Sequence, residues 1–367
     1  EPTKAGWSAV MGDSRNSTVI PTASGPVIVS GKHEPWEEKD RSSVTQVVSL
    51  NPADGSVRWA ATVEQPMENG LRAVHQESLE EENEDFAAPE TVVASPDGKY
   101  VAIQLEPYMV NGKAKDIADQ RMNTVVLDAE TGQEILTVQV SGLVLGQVLT
   151  DSDLVVQTAQ DYVPAGSGTL TVAPLDEPEA EPSTLRTDQW LMGSTAHSLL
   201  LSPDGLSGLC SDSCTSTTIT EMPVDGESLA TIPAVYRVLE GGRVERYTDP
   251  AAANDAVASG QWAEWVKTGR EILDIEAGTT TDITGYATGP EPLLLADGTG
   301  VLLNRLVPLD PEKPGSSYSE NHPAAWVGAP ADGGAVHTEP VTAVASLPGS
   351  SADLTGLTFG PLPMTDP

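Results

Sequence analysis

The chain of 367 residues is poorest in cysteine, phenylalanine and basic side chains: it has two Cys, two Phe and 19 Lys plus Arg. Against those 19 bases stand 54 acids, a net charge of −35. A polyanion such as DNA or RNA is repelled by such a surface, as is an anionic membrane. No run approaches 18 consecutive apolar residues, which excludes a membrane-spanning helix within the chain. Aromatics make up only 4%, so the core is expected to be built from Val, Leu, Ile and Ala. With two cysteines and no histidine beside them, a four-ligand structural zinc site has no ligand set. Cys210 and Cys214 are instead read as a local disulfide closing a short loop in an oxidising compartment.

Catalytic signatures are also missing. The five histidines, His33, His75, His197, His322 and His337, form no short metal motif. There is no Gly-x-Ser-x-Gly elbow and no phosphate-cradling Gly-Lys loop. The run Asp13-Ser14-Arg15-Asn16-Ser17 offers oxygens for calcium, but Arg15 interrupts it. No cofactor is therefore predicted, with calcium held as a minor alternative. The acidic block Glu80-Glu81-Glu82-Asn83-Glu84-Asp85 reads as a solvated loop. No leader segment is visible, and the chain starts at Glu1-Pro2-Thr3 without Met. The expectation is a mature or trimmed piece, the outer part of an anchored, extracytoplasmic protein.

What the chain does have is Val- and Thr-rich segments between turns, with 33 Gly and 29 Pro, which favours strands over helices. Two stretches repeat. QVVSLNPADGSVRW (46–59) and NTVVLDAETGQEIL (123–136) each give a strand, a turn ending in Gly, and a second strand. Gly55 and Gly132 supply the positive φ of the reversal, and Asp54 and Asp128 bond the turn backbone. A second repeat is Ser-Pro-Asp-Gly at 95–98 and 202–205, loosely echoed at 296–298. Its aspartates, Asp97, Asp204 and Asp297, are 107 and 93 positions apart, and Gly98, Gly205 and Gly298 follow them. That spacing is about two units of fifty residues, the length of one four-stranded propeller blade.

The fold expected is all-β: one β-propeller domain over 1–367, with four-stranded antiparallel blades. Seven blades are favoured over six or eight, at 18–63, 90–140, 143–187, 190–233, 235–285, 290–340, and 341–362 together with 7–11. Pairing of the N- and C-terminal strands would close the ring and remove free edges. Short helices are expected as insertions, one of them at Asp249–Ala258, where Asp caps and Pro opens the first turn. Trp59 and Trp190 fall in strand patterns and are assigned to packing. Trp36 and Trp262 are the candidate recognition aromatics.

The two repeats 47–59 and 125–135 resemble those of pyrroloquinoline-quinone-type propellers, roughly apolar-x-Leu-Asp-Ala-x-Thr-Gly-x-x-x-Trp. The resemblance implies that the Gly makes a turn and the Trp packs between blades. In quinoprotein dehydrogenases of that family adjacent cysteines ring the cofactor, whereas Cys210 and Cys214 are separated by three residues. The resemblance therefore points to the non-catalytic members, binding or scaffold domains of the bacterial cell envelope. Their ligand would be a protein, a peptide or cell-wall material. The alternatives are a secreted hydrolase or quinone-dependent oxidoreductase, and a cation-responsive sensor.

Overall fold

The computed structural model describes residues 17–32, 42–51, 56–66, 91–105, 107–109, 117–160, 168–203, 216–226, 230–295, 302–309, 325–327, 336–337 and 343–346. Its strands follow one another along the chain as antiparallel sheets, the arrangement of a β-propeller. The first sheet holds β1 (Ser17–Thr22), β2 (Gly25–Lys32), β3 (Ser42–Leu50) and β4 (Val57–Pro66). The second holds β5 (Val92–Ala94), β6 (Tyr100–Gln104), the short β7 (Tyr108–Met109), β8 (Gln120–Asp128) and β9 (Glu134–Ser141). The third is β10 (Leu143–Leu149), β11 (Asp153–Ala159), β12 (Gly168–Pro174) and β13 (Ser183–Thr187), paired in sequence order.

The fourth sheet is larger, with seven strands. They are β14 (Trp190–Ser194), β15 (Ser198–Ser202), β16 (Thr217–Pro223), β17 (Ala230–Leu239), β18 (Arg243–Tyr247), β19 (Arg270–Asp274) and β20 (Thr279–Asp282). Helices α1 (Pro250–Ala258) and α2 (Trp262–Lys267) are inserted between β18 and β19. The Asp249 side chain accepts from the Ala252 amide and Pro250 opens the first turn of α1, as the sequence predicts. The seven strands belong to one sheet because β17 serves two partners. Its first half pairs with β16 and its second half with β18, with an irregularity beside Pro233 and Ala234. Ala234 has φ +63, the one positive-φ non-glycine residue among those described. Proline cannot donate to a ladder, so the chain bends there and β17 passes from one group of strands to the next.

The last sheet has the order β24-β23-β22-β21-β25, from β21 (Tyr286–Leu295), β22 (Leu302–Pro308), β23 (Ala325–Val327), β24 (Val336–His337) and β25 (Ala343–Ser346). Strand β25 lies within 341–362, which the sequence reading assigned to a separate closing blade; it pairs instead with β21. Strand β1 lies near β5 and also near β21 and β25. Of the expected closing blade, 7–11 and 347–362 lie outside the described residues.

The core sits between the sheets, and a period of two accounts for it. On β8, Val125 and Leu127 pack with Ile20, Val27, Val29 and Val47 of the first sheet. The alternate residues Met122 and Val126 pack with Val144, Leu154 and Val156 of the third. On β11 and β12, Val155, Leu170 and Val172 turn to Leu191, Leu199 and Leu201 of the fourth. Because blades are covered on both faces, their strands read as near-continuous apolar runs; β10 is buried along its whole length. These contacts are aliphatic, in keeping with a chain that has so few aromatics.

Candidate functional site

Antiparallel pairing puts successive connections at opposite ends of the sheets. At one end run the first-to-second and third-to-fourth strand connections, which span two to eight residues. At the other end the second strand ends and the third begins, with eight to 22 residues of sequence between them.

The short-turn end is knitted together. The Ala23 amide, between β1 and β2, donates to the Gly98 carbonyl between β5 and β6 at 3.0 Å. The Asp97 amide donates to Asp151 Oδ1, between β10 and β11, at 2.9 Å. The Asp151 amide donates to the Ala196 carbonyl, between β14 and β15, at 2.9 Å. The Ala196 amide donates to Glu276 Oε1, between β19 and β20, at 2.7 Å. Within its own turn Asp97 accepts from the Ser95 hydroxyl and the Lys99 amide, and pairs with the Lys99 ammonium at 2.9 Å. Burial pushes its carboxyl up, but those donors outweigh burial and hold it below the usual carboxylate range. Asp151 is pushed the other way, by burial and by the nearby charges of Asp97 and Glu276. His197, beside this end, is exposed.

The repeat turn around Gly132 is at this same end. Asp128 Oδ1 accepts from the amides of Glu130 and Thr131 and from the Thr131 hydroxyl. The Trp59 indole of the preceding sheet donates to the Ala129 carbonyl at 3.1 Å. Its ring lies against Gly132, where a Cβ would come within 2.6 Å of two ring carbons. Gly132 turns the chain and Trp59 packs between the two sheets.

The long-connection end carries the cluster that sequence reasoning missed. On the face of β18 and β19 turned toward the last sheet, Tyr247 lies opposite Arg270 and Glu245 opposite Ile272. Arg270 and Glu245 are both 0% exposed, and Arg270 Nη1 stands 4.0 Å from Glu245 Oε1. The Arg270 guanidinium lies over the Trp265 ring of α2, 4.5 Å from its centroid. The Trp265 indole donates to the Tyr247 hydroxyl at 2.9 Å. Tyr236 packs on both, its centroid 5.3 Å from Tyr247 and 6.3 Å from Trp265. Trp262 stacks on Trp265 at 4.7 Å and is half-buried, so this candidate sits on a helix as part of an aromatic stack rather than on a free loop. Arg243, two residues before Glu245 and also buried, has its guanidinium pKa pulled down by burial, partly offset by Asp274 and Glu240. Between α1 and α2 an open groove of about 410 Å³, bordered by Asp255, Glu264 and Lys267, lies outside the cluster.

Two signals pointed toward this site. One was the pair Trp262 and Trp265 in so aromatic-poor a chain; the other was the long stretch between two strand patterns. That Arg270 and Glu245 are buried was not legible, because each sits in a polar strand that reads as exposed. Of the other expected residues, Gly98, Asp97 and Gly132 are in the turns described above. Trp36, Cys210, Cys214, Asp54, Gly55, Asp204, Gly205, Asp297 and Gly298 lie outside the described residues. Among the described residues no group of three or more His, Cys, Asp or Glu side chains converges as a metal site, and no helix is long and apolar enough to cross a membrane.

No family model matches the chain, and no curated protein matches it. Several solved structures are similar in shape. The β-propeller domain of the Trilobed protease from Pyrococcus furiosus matches at 12% identity and TM-score 0.44, over 88% of this chain and 84% of that one. An acylaminoacyl peptidase from Pyrococcus horikoshii matches at 15% identity and TM-score 0.46, over 90% of this chain. The match spans about half of that peptidase, 47%. TolB from Acinetobacter baumannii matches at 11% identity and TM-score 0.34, over 87% of this chain and 62% of that one. The propeller assignment rests on the sheets themselves.

Proposed function

We propose that this chain is a non-catalytic binding or scaffold propeller of the bacterial cell envelope, and that it takes its ligand at the long-connection end. The observation that carries this reading is the division of labour between the two ends. One end spends its turns on holding neighbouring sheets together through the Ala23–Gly98, Asp97–Asp151 and Asp151–Ala196 bonds. The other carries the long connections, including the helical insert and the aromatic cluster beneath it. A rigid frame that presents long segments on one face is the usual geometry of recognition. The ligand class proposed is a protein, a peptide or cell-wall material, met outside the cytoplasm. The Trp59 packing on the 128–132 turn supports kinship with quinoprotein-type propeller repeats.

The test is amide hydrogen exchange of the purified chain, alone and with peptidoglycan fragments or peptide pools. Slowed exchange in 248–269, with 95–98 and 150–153 unchanged, is the expected result. Slowing confined to the short-turn end would overturn the reading. So would turnover of a generic ester, glycoside or alcohol substrate that is lost on changing a residue of the cluster.

A further inference from the structure

We infer that Arg270 anchors a subsite for an organic carboxylate at the long-connection end, between the α1–α2 insert and the last sheet. The inference rests on the binding reading above and names the chemistry of its ligand. Arg270 is fully buried, yet among the described residues no group accepts a hydrogen bond from Nε, Nη1 or Nη2. Glu245 offers charge at 4.0 Å, which is beyond hydrogen-bond reach. The ion pair therefore holds the guanidinium without using its in-plane N–H groups. A buried guanidinium whose donors go unused is costly, and such groups in folded proteins have a reason to be kept.

The surroundings fit a planar oxyanion. The guanidinium sits over the Trp265 ring, and its own donors lie in its plane, the direction in which a carboxylate is gripped by two parallel bonds. The Tyr247 hydroxyl fixes the Trp265 indole, and Tyr236 packs against both rings, so the fork is held before any ligand arrives. The aromatic walls suit an organic acid over a bare inorganic ion. Among the described residues the charges facing this point are Glu245 on β18, and Arg243 with its neighbours Asp274 and Glu240. Among the described residues Arg270 and Arg243 are the buried cations on this face and Glu245 the buried anion, so the described buried set has room for one more negative charge.

The test uses the whole chain and three probes. These are acetate, chloride at the same ionic strength, and acetamide, which has the planar shape without the charge. Acetate is expected to raise the melting temperature saturably, and chloride and acetamide are not. Arg270→Lys keeps the charge but loses the fork, and should weaken the acetate effect at least tenfold; Arg270→Met should abolish it. Tryptophan fluorescence titrated with acetate, compared between the wild type and Trp265→Phe, provides a second readout if Arg270→Met fails to fold. Equal shifts from acetate and chloride, no saturable acetate effect in the wild type, or an acetate effect that survives Arg270→Lys unchanged would each reduce Arg270 to a structural ion pair. Exchange protection at 248–269 by a larger ligand without any acetate response would sink this subsite and leave the binding face standing.

Discussion

At Gly132 a backbone that turns with φ +73 meets the flat face of Trp59 from the neighbouring sheet. Both facts exclude a side chain. Gly132→Ala is expected to cost about 1–3 kcal/mol, from left-handed strain and from pushing the indole off the Ala129 carbonyl. Urea unfolding measures the loss, and Trp59 fluorescence should shift with it. Ala234 presents the opposite case, an alanine held at φ +63 where β17 bends. Replacing it with glycine removes the Cβ penalty, so Ala234→Gly should raise stability by about 1 kcal/mol in the same assay. A loss on that substitution would show that the bend is held by the Ala234 side chain rather than tolerated despite it.

The inter-sheet turns bring a pH dependence with a definite sign. Asp151 has a folded-state pKa above its ordinary value, through burial and the charges of Asp97 and Glu276. A carboxyl shifted upward binds its proton more tightly folded than unfolded. It therefore favours folding at acid pH, and that advantage is lost as pH rises through the ordinary carboxylate range, near 4, and beyond. Asp151→Asn keeps an oxygen for the Asp97 amide and removes the charge. It should be more stable than the wild type at pH 7, with the difference shrinking as pH falls toward 3. Asp97 has the opposite sign, since its carboxylate is favoured by Ser95 and Lys99. Asp97→Asn should therefore be less stable at pH 7 and approach the wild type in acid. Thermal melts across pH 3 to 8 separate the two. At this scale strands and turns were readable from local pattern: the Gly132 turn, the capped α1 and the alternation along β8 all follow from neighbouring residues. The Asp97–Asp151 bond joins residues 54 positions apart, and no local pattern announces it.

For the whole molecule the dominant fact is charge. A net −35 spread over one surface repels itself, and salt screens that repulsion. The melting temperature should rise between about 10 mM and 200 mM sodium chloride, where the Debye length falls from about 30 Å to under 10 Å. A flat or falling dependence would mean that favourable pairs such as Arg246–Glu271 outweigh the repulsion.

The sequence by itself determined the strand-rich architecture, the aliphatic core, the turn chemistry of the repeats and the sign of the molecule's field. These depend on composition and on patterns a few residues long. The tertiary structure alone decided that β17 is shared between two groups of strands and that β25 joins the sheet of β21. It also decided that one end is stitched while the other carries the long connections. It alone brought Arg270, Glu245, Tyr247 and Trp265 together and buried them. The reason is physical: burial of a charge and contact between distant turns depend on which faces of neighbouring sheets meet, and a strand's own residues do not encode the face it will be set against.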